Sequence, residues 1–578
     1  MTAHLLALTV GPVQEFIAAA RRTRDLWFGS YLLSEISKAA ARAVRDQGGE
    51  LIFPAPNDTA DLKPDSALTV ANVILAELPA VDPEHVAQQA KAAARARWRE
   101  FADAVYRDYQ GVIRADIWDD QVGDVIELYA AWVSSSPQTY KADRAKLMRL
   151  LAGRKSCRDF LPARGRSGVP KSSLDGLRES VLLPPGKWPE RSRRRLRVRE
   201  GEQLDVVAMV KRTAVGSPPY PSVARVAADP WLRGVGRNRL APLADACKQL
   251  RTDVVHQLDT SVGQGHPGYA DFPFEGTPVF RSRYSEFLRE TDLSESDLEP
   301  LLRALAPLVR DFGEPSPYLA VLVADGDHIG QALSQLDSAS DHRAFSQALA
   351  DFAGQARQII HEHNGILVYA GGDDVLAFVP VDHCLPCARA LHDKFGNMLG
   401  LTLSVGVAVA HFMEPLEDLL DYGRAAERHA KRPRAEDRGQ DKRNGLALHV
   451  LKRGGGPVTV RANWSAEPDQ HLGDLANWIK ERAVSGRVAS DLRNIADVYD
   501  NWPADTVKDA IQRDTRLVMK KKQPPGASRM REVEDLIRKR VADADSLRRL
   551  GYELLVARQI AEAIRQANPP SPVEEVSA

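Results

Sequence analysis

The chain has 578 residues, too many for a single core and the length of about three to four domains. Its 44% hydrophobic and 27% charged content is ordinary for a globular protein, and its 78 basic and 78 acidic residues cancel, so any nucleic-acid binding has to use local patches. Four cysteines exclude a disulfide framework and fit a reducing, cytoplasmic setting, and no basic leader or long apolar run calls for a signal peptide or a membrane span.

Along the chain, "LLALTV" (5–10) reads as a strand, followed by a Gly-Pro turn. A helix then carries apolar Val13, Phe16 and Ile17 and a cluster of arginines. A second strand falls near 67–78, and residues 82–152 read as helical. Residues 153–200 are loop-like and basic, with "RSRRRLRVR" at 191–199, and helical patterning returns over 202–310. Over 311–455 the pattern is β-α-β-β-α-β-α-β: a strand at 318–327, a helix over 341–363 and paired strands at 366–370 and 375–379. A helix over 383–397, a strand at 401–410, a helix over 415–431 and a strand at 446–451 complete it. That order contains a ferredoxin-like core. Residues 456–566 read as helical and 567–578 as a disordered tail. The fold class is therefore α+β.

The hairpin "YAGGDDVLAF" (369–378) poses a chemical question. Glycines suit a tight turn, but two adjacent carboxylates at its tip repel each other. Asp325 and Asp327 end another strand, and in a ferredoxin-like sheet that strand neighbours the hairpin. Four converging carboxylates, Asp325, Asp327, Asp373 and Asp374, would ligate Mg²⁺ or Mn²⁺ against substrate phosphates. Gly326, Gly371 and Gly372 would give a nucleotide close backbone access, and Lys431, at a helix end, would reach its phosphates; a solvated lysine favoured by the helix dipole is the plain alternative. No side chain stands out as a general base. Cys384 and Cys387 form a C-x₂-C without a second pair, which fits packed thiols better than zinc. "KKK" (520–522) and the run at 191–199 could track RNA or be solvated surface.

"GPVQEFIAAARRTRDLWFGSYLLSE" (11–35), "ADGDHIGQALS" (324–334), "YAGGDDVLAFVP" (369–380) and "SVGVAVAHFMEPLEDLL" (404–420) resemble the large subunit of type III-B CRISPR effector complexes, with "GEQLDVVAMVKR" (201–212) and "PSVARVAADPWL" (221–232) between them. The resemblance implies two nucleotidyl cyclase-like palm domains, the first (1–152) inactive and the second (311–455) catalytic. It implies conversion of ATP to cyclic oligoadenylates, with Asp325, Asp373 and Asp374 as the catalytic carboxylates, in a complex with other subunits, guide RNA and target RNA. Val10-Gly11-Pro12 stands where the second palm has its acidic strand end, and a composite pocket between the palms is expected, with metal only on the GGDD side. Two departures stand out. The chain opens at the first palm, without the N-terminal HD nuclease many relatives carry, and its His392-Asp393 dipeptide falls in a helix. Ser172 and Asp175 stand where a zinc ribbon would have cysteines. A free-standing cyclase making another cyclic nucleotide, and a catalytically inert ATP-binding scaffold, remain open alternatives.

Overall fold

An apolar run as continuous as 319–324 needs cover on both faces of its sheet. The structure, a computed structural model, supplies that cover. It describes residues 3–157, 165–213 apart from scattered positions between 185 and 200, 220–250, 267–290, 293–432, 443–522 and 529–569. The basic run at 191–199 therefore lies mostly outside the described residues, as does the tail from 570.

The first unit runs β1 (His4–Gly11), α1 (Thr23–Asp46), β2 (Glu50–Phe53), β3 (Val73–Leu78), α2 (Pro83–Tyr109), β4 (Glu127–Ser134) and α3 (Tyr140–Ser156). Its antiparallel sheet has the order β2-β3-β1-β4. β2 was not legible in the sequence, and β4 replaces part of the helix expected over 82–152.

The second unit runs β5 (Tyr318–Gly326), α4 (Ile329–Gln335), α5 (Ala339–Glu362), β6 (Ile366–Gly371), β7 (Asp374–Val379), α6 (Cys384–Leu399), β8 (Leu403–His411), α7 (Leu416–Ala430), β9 (Gly445–Val450) and β10 (Val458–Asn463). The sheet order is β10-β9-β8-β5-β7-β6, antiparallel except for β8 and β9, which the α7 crossover joins in parallel. Its β8-β5-β7-β6 portion matches the first sheet strand for strand, so the chain carries two ferredoxin-like units. β10 extends the sheet past 455, where helix was expected. Its six residues are too few to set a clear period beside a Gly-rich turn.

Successive residues of β5 and β8 point to opposite faces. Ala320, Leu322, Ala324, Val405 and Val407 join a core with α5, α6 and the C-terminal helices α8 (Pro468–Lys480), α9 (Val488–Val498), α10 (Ala504–Lys521) and α11 (Ala544–Ala567). Leu319, Val321, Ala408 and Ala410 join a second core with α7 and the helices of the 220–310 region. The C-terminal helices thus share a core with the second sheet. Cys384 and Cys387 are buried in that core; burial pushes the Cys384 thiol up to about 12 and holds both thiols protonated.

The units meet where α5 lies on β2. Arg343 donates to the Leu51 carbonyl at 3.0 Å and pairs with Glu77 at 2.6 Å. Beside it the buried His342 Nδ1 accepts from Tyr140 Oη at 2.9 Å and from Arg144 at 3.2 Å. A nitrogen that accepts from both carries no proton, so the ring is neutral. Burial first, and the Arg144 charge second, hold His342 down at about 4. Between that value and the ordinary 6.5 the unfolded chain binds a proton the folded one refuses, so stability falls as pH drops below 6.5. We expect a loss of up to about 2 kcal/mol between pH 7 and 5, absent in His342→Gln, read from urea midpoints at both pH values.

Candidate active site

β5 ends beside the β6–β7 hairpin because Ala324 pairs with Val375 and with Val405. Gly371 pairs with Asp374, leaving Gly372 and Asp373 as a two-residue turn. Gly372 has φ +82°, a conformation that favours glycine at the first central position of such a turn. The turn brings oxygens of Asp325, Asp373 and Asp374 within 4.8 Å of one another. Gly326 permits this approach, since a Cβ there would sit 2.9 Å from that of Asp373 and 2.8 Å from the Phe395 ring.

Three crowded carboxylates repel. Burial and then Asp325 push Asp373 up to about 6. Asp374 keeps an open face to solvent, yet the desolvating hairpin and both neighbours raise it as well, and it shares a hydrogen bond with Asp325. Lys431, just past the end of α7, answers part of this charge: its Nζ lies 2.5 Å from Asp325 and 2.9 Å from Glu427. Burial alone would lower the ammonium, but the two carboxylates outweigh it and raise it. A cavity of about 450 Å³ opens on the group, lined by Asp325, Gly326, His328, Gln331, Asp373, Lys431 and Arg443 among others.

Asp327 does not join them. It is fully buried, and its carboxylate accepts from Ser404 Oγ at 2.9 Å, Thr402 Oγ1 at 2.9 Å and the Asn444 amide at 3.0 Å. Its oxygens tie β5 to the starts of β8 and β9, and the structure places it outside the acidic group it was expected to join. Burial raises it, and these three donors offset part of that rise. Replacing Asp327 by Ala leaves three donors, one buried and two part-buried, without their acceptor and should cost about 3 kcal/mol in a denaturant titration. The Mn²⁺ stoichiometry of the variant should stay that of the parent; loss of the Mn²⁺ site in a folded variant would restore Asp327 as a ligand.

The remaining expected residues divide. Gly326 and Lys431 line the cavity, whereas Gly371 and Gly372 do not. The space a Cβ would fill at Gly371 is taken by the Tyr369 ring. The cavity walls come from the second unit, so the cavity is not composite between the two. His328, Gln331 and Arg443 were missed. His328 betrays itself only by a left-handed φ of +61°, and Arg443 by its position ahead of β9. His392 is bound to Asp393 and to Asn444 Oδ1, each at 2.9 Å, and stacks on Trp464, a structural role. Ser172 and Asp175 cap the amides of Leu174 and Leu177 in a turn.

Residues 318–444, which span this site, match the family described as Cas10/Cmr2, second palm domain, and residues 5–103 match CRISPR-associated protein Cmr2, N-terminal. The chain thus carries a Cas10/Cmr2 second-palm segment and a Cmr2 N-terminal segment. The CRISPR system Cmr subunit Cmr2 of Pyrococcus furiosus is 29% identical to it over 206 residues, covering 30% of this chain and 23% of that protein. The alignment thus spans about a quarter of that relative. Among solved structures, a chain of type III-B Cmr-beta in the apo state superposes with a TM-score of 0.67 at 13% identity, covering 97% of this chain and 82% of that one. A chain of type III-B Cmr-beta bound to cognate target RNA gives 0.68 at 14%, covering 97% and 83%. These likenesses establish the fold. In this Cas10/Cmr2 palm the acidic group is Asp325, Asp373 and Asp374, with Asp327 behind it as an anchor. Among the described residues no helix is long and apolar enough to cross a membrane.

Proposed function

We propose that the chain is a metal-dependent nucleotidyltransferase that joins ATP into cyclic oligoadenylates within a type III-B CRISPR effector complex in the cytoplasm. The observation that carries this reading is the convergence of Asp325, Asp373 and Asp374 within 4.8 Å at the mouth of a cavity of nucleotide size. The donor set fits Mg²⁺ or Mn²⁺: all three ligands are hard oxygens, and their mutual repulsion is what a cation would relieve. A divalent ion held there would neutralise phosphate charge and polarise the attacking hydroxyl.

The chain's own groups supply the positioning. Lys431 holds its ammonium at the cavity wall, where an incoming phosphate could take over part of its pairing with Asp325. Arg443 adds a planar donor across the same space. Gly326 keeps the floor low, so that a phosphate chain can approach the carboxylates. Orienting two nucleotides and balancing their charge accounts for most of the rate in such transfers. The first unit has no carboxylate at positions 10–12, and its role is to support α5 through β2. Assembly with other Cmr subunits, guide RNA and target RNA is supported by the likeness to the Cmr-beta chain, which has been seen with cognate target RNA bound.

The test is to incubate the assembled complex with ATP, Mg²⁺ or Mn²⁺ and target RNA and to analyse products by mass spectrometry. Cyclic oligoadenylates that depend on target RNA are expected. Product from the isolated chain without RNA would favour a free-standing cyclase, and no product under any condition would favour an inert scaffold.

A further inference from the structure

A second cavity, of about 340 Å³, lies among the C-terminal helices and shares no residue with the first. Its lining includes Arg482, Lys521, Lys522 and Arg565, together with Ser485 and Gly486. Sequence places these cations in three segments: the turn after α8, the end of α10, and α11. The fold closes them on one space. Lys522 is paired with Asp491, and Arg565 lies 3.6 Å from Glu562 and donates to the Ile479 carbonyl. Among the described residues Arg482 and Lys521 have no ionic partner, and both are exposed. Arg558 packs its side chain against Gly486. α9 starts at Val488 with no side chain capping its first turn, directly after Ser485 and Gly486, so its positive end adds to the same field.

We infer that this cavity is a binding site for a phosphate-bearing ligand, separate from the carboxylate centre. Like charges gathered with too few counter-ions repel one another, and a polyanion relieves that repulsion. Arg482 offers a forked donor suited to phosphate oxygens, and Lys521 a point charge. The ligand is either the backbone of a single-stranded RNA or the phosphate chain of a free nucleotide; the same chemistry serves both.

The test uses the full chain and two probes: fluorescently labelled single-stranded RNA, and ATP. ATP binding is measured in an Asp373→Ala, Asp374→Ala background that disables the palm site. Arg482 and Lys521 are reversed together (Arg482→Glu, Lys521→Glu) and, more mildly, made neutral (Arg482→Gln, Lys521→Gln). Arg99→Glu with Arg107→Glu, exposed on α2, controls for net charge. If RNA is the ligand, RNA affinity falls about tenfold and the slope of log affinity against log salt drops by about 1.4, the share of two phosphate contacts, while ATP binding is unchanged. A loss of ATP binding with RNA unchanged assigns the site to a nucleotide. If neither probe is affected, or if the control pair weakens binding equally, the site is refuted. The neutral pair keeps the answer available should the reversed pair fail to fold.

Discussion

Replacing Asp373 and Asp374 together by Ala is expected to reduce nucleotide polymerisation at least about a thousandfold, some 4 kcal/mol of transition-state stabilisation, while leaving complex assembly intact. Both residues sit at a tight turn whose flanking strands keep their pairing without them. Their carboxylates are already strained, since burial and mutual repulsion raise both. Truncation therefore removes repulsion along with the ligands, and thermal stability without metal should hold or rise. Product yield by mass spectrometry and complex size by gel filtration read the two outcomes. A double variant that assembled and still made product would end the metal-centred mechanism.

Gly406→Ala is expected to give a large loss of stability, about 3 kcal/mol. Gly406 lies on β8 directly under α7, and a Cβ there would meet the Glu427 amide nitrogen at 2.0 Å and the Ala426 carbonyl carbon at 2.4 Å. Backbone cannot step aside as a flexible side chain would, so the helix has to lift. Lys431 sits at the end of that helix and would move away from Asp325, so ATP binding should weaken as well. Gly354→Ala on α5, where a Cβ meets nothing within 4 Å, is the contrast: it should be neutral or stabilising by about 0.5–1 kcal/mol. Equal urea midpoints for the two variants would show that α7 has room the structure denies it.

The elements of the second unit were legible because their signals are strong. β5 and β8 are long apolar runs, α5 and α7 repeat apolar residues at helical spacing, and the Gly-Gly-Asp-Asp tip marks a hairpin. β2, β4 and β10 were not. Each is an outer strand of its sheet, and sheet position is set by partners remote in sequence rather than by local pattern.

The site divides in the same way. Sequence by itself pointed to four converging carboxylates, 325, 327, 373 and 374, because the β-α-β-β order fixes which strand ends are neighbours; the structure brings 325, 373 and 374 together. It could not tell Asp325 from Asp327, two residues apart on one strand end. Only the tertiary structure decided that: Ser404, Thr402 and the Asn444 amide come from β8, its lead-in and the start of β9, and their donors claim Asp327 and leave Asp325 to the cavity. The same holds for His328, Gln331 and Arg443, and for the basic cavity at Arg482, Lys521, Lys522 and Arg565. Local patterning records which face of an element is apolar; which polar groups from distant segments meet depends on how helices and strands pack, and packing is set by the whole core at once.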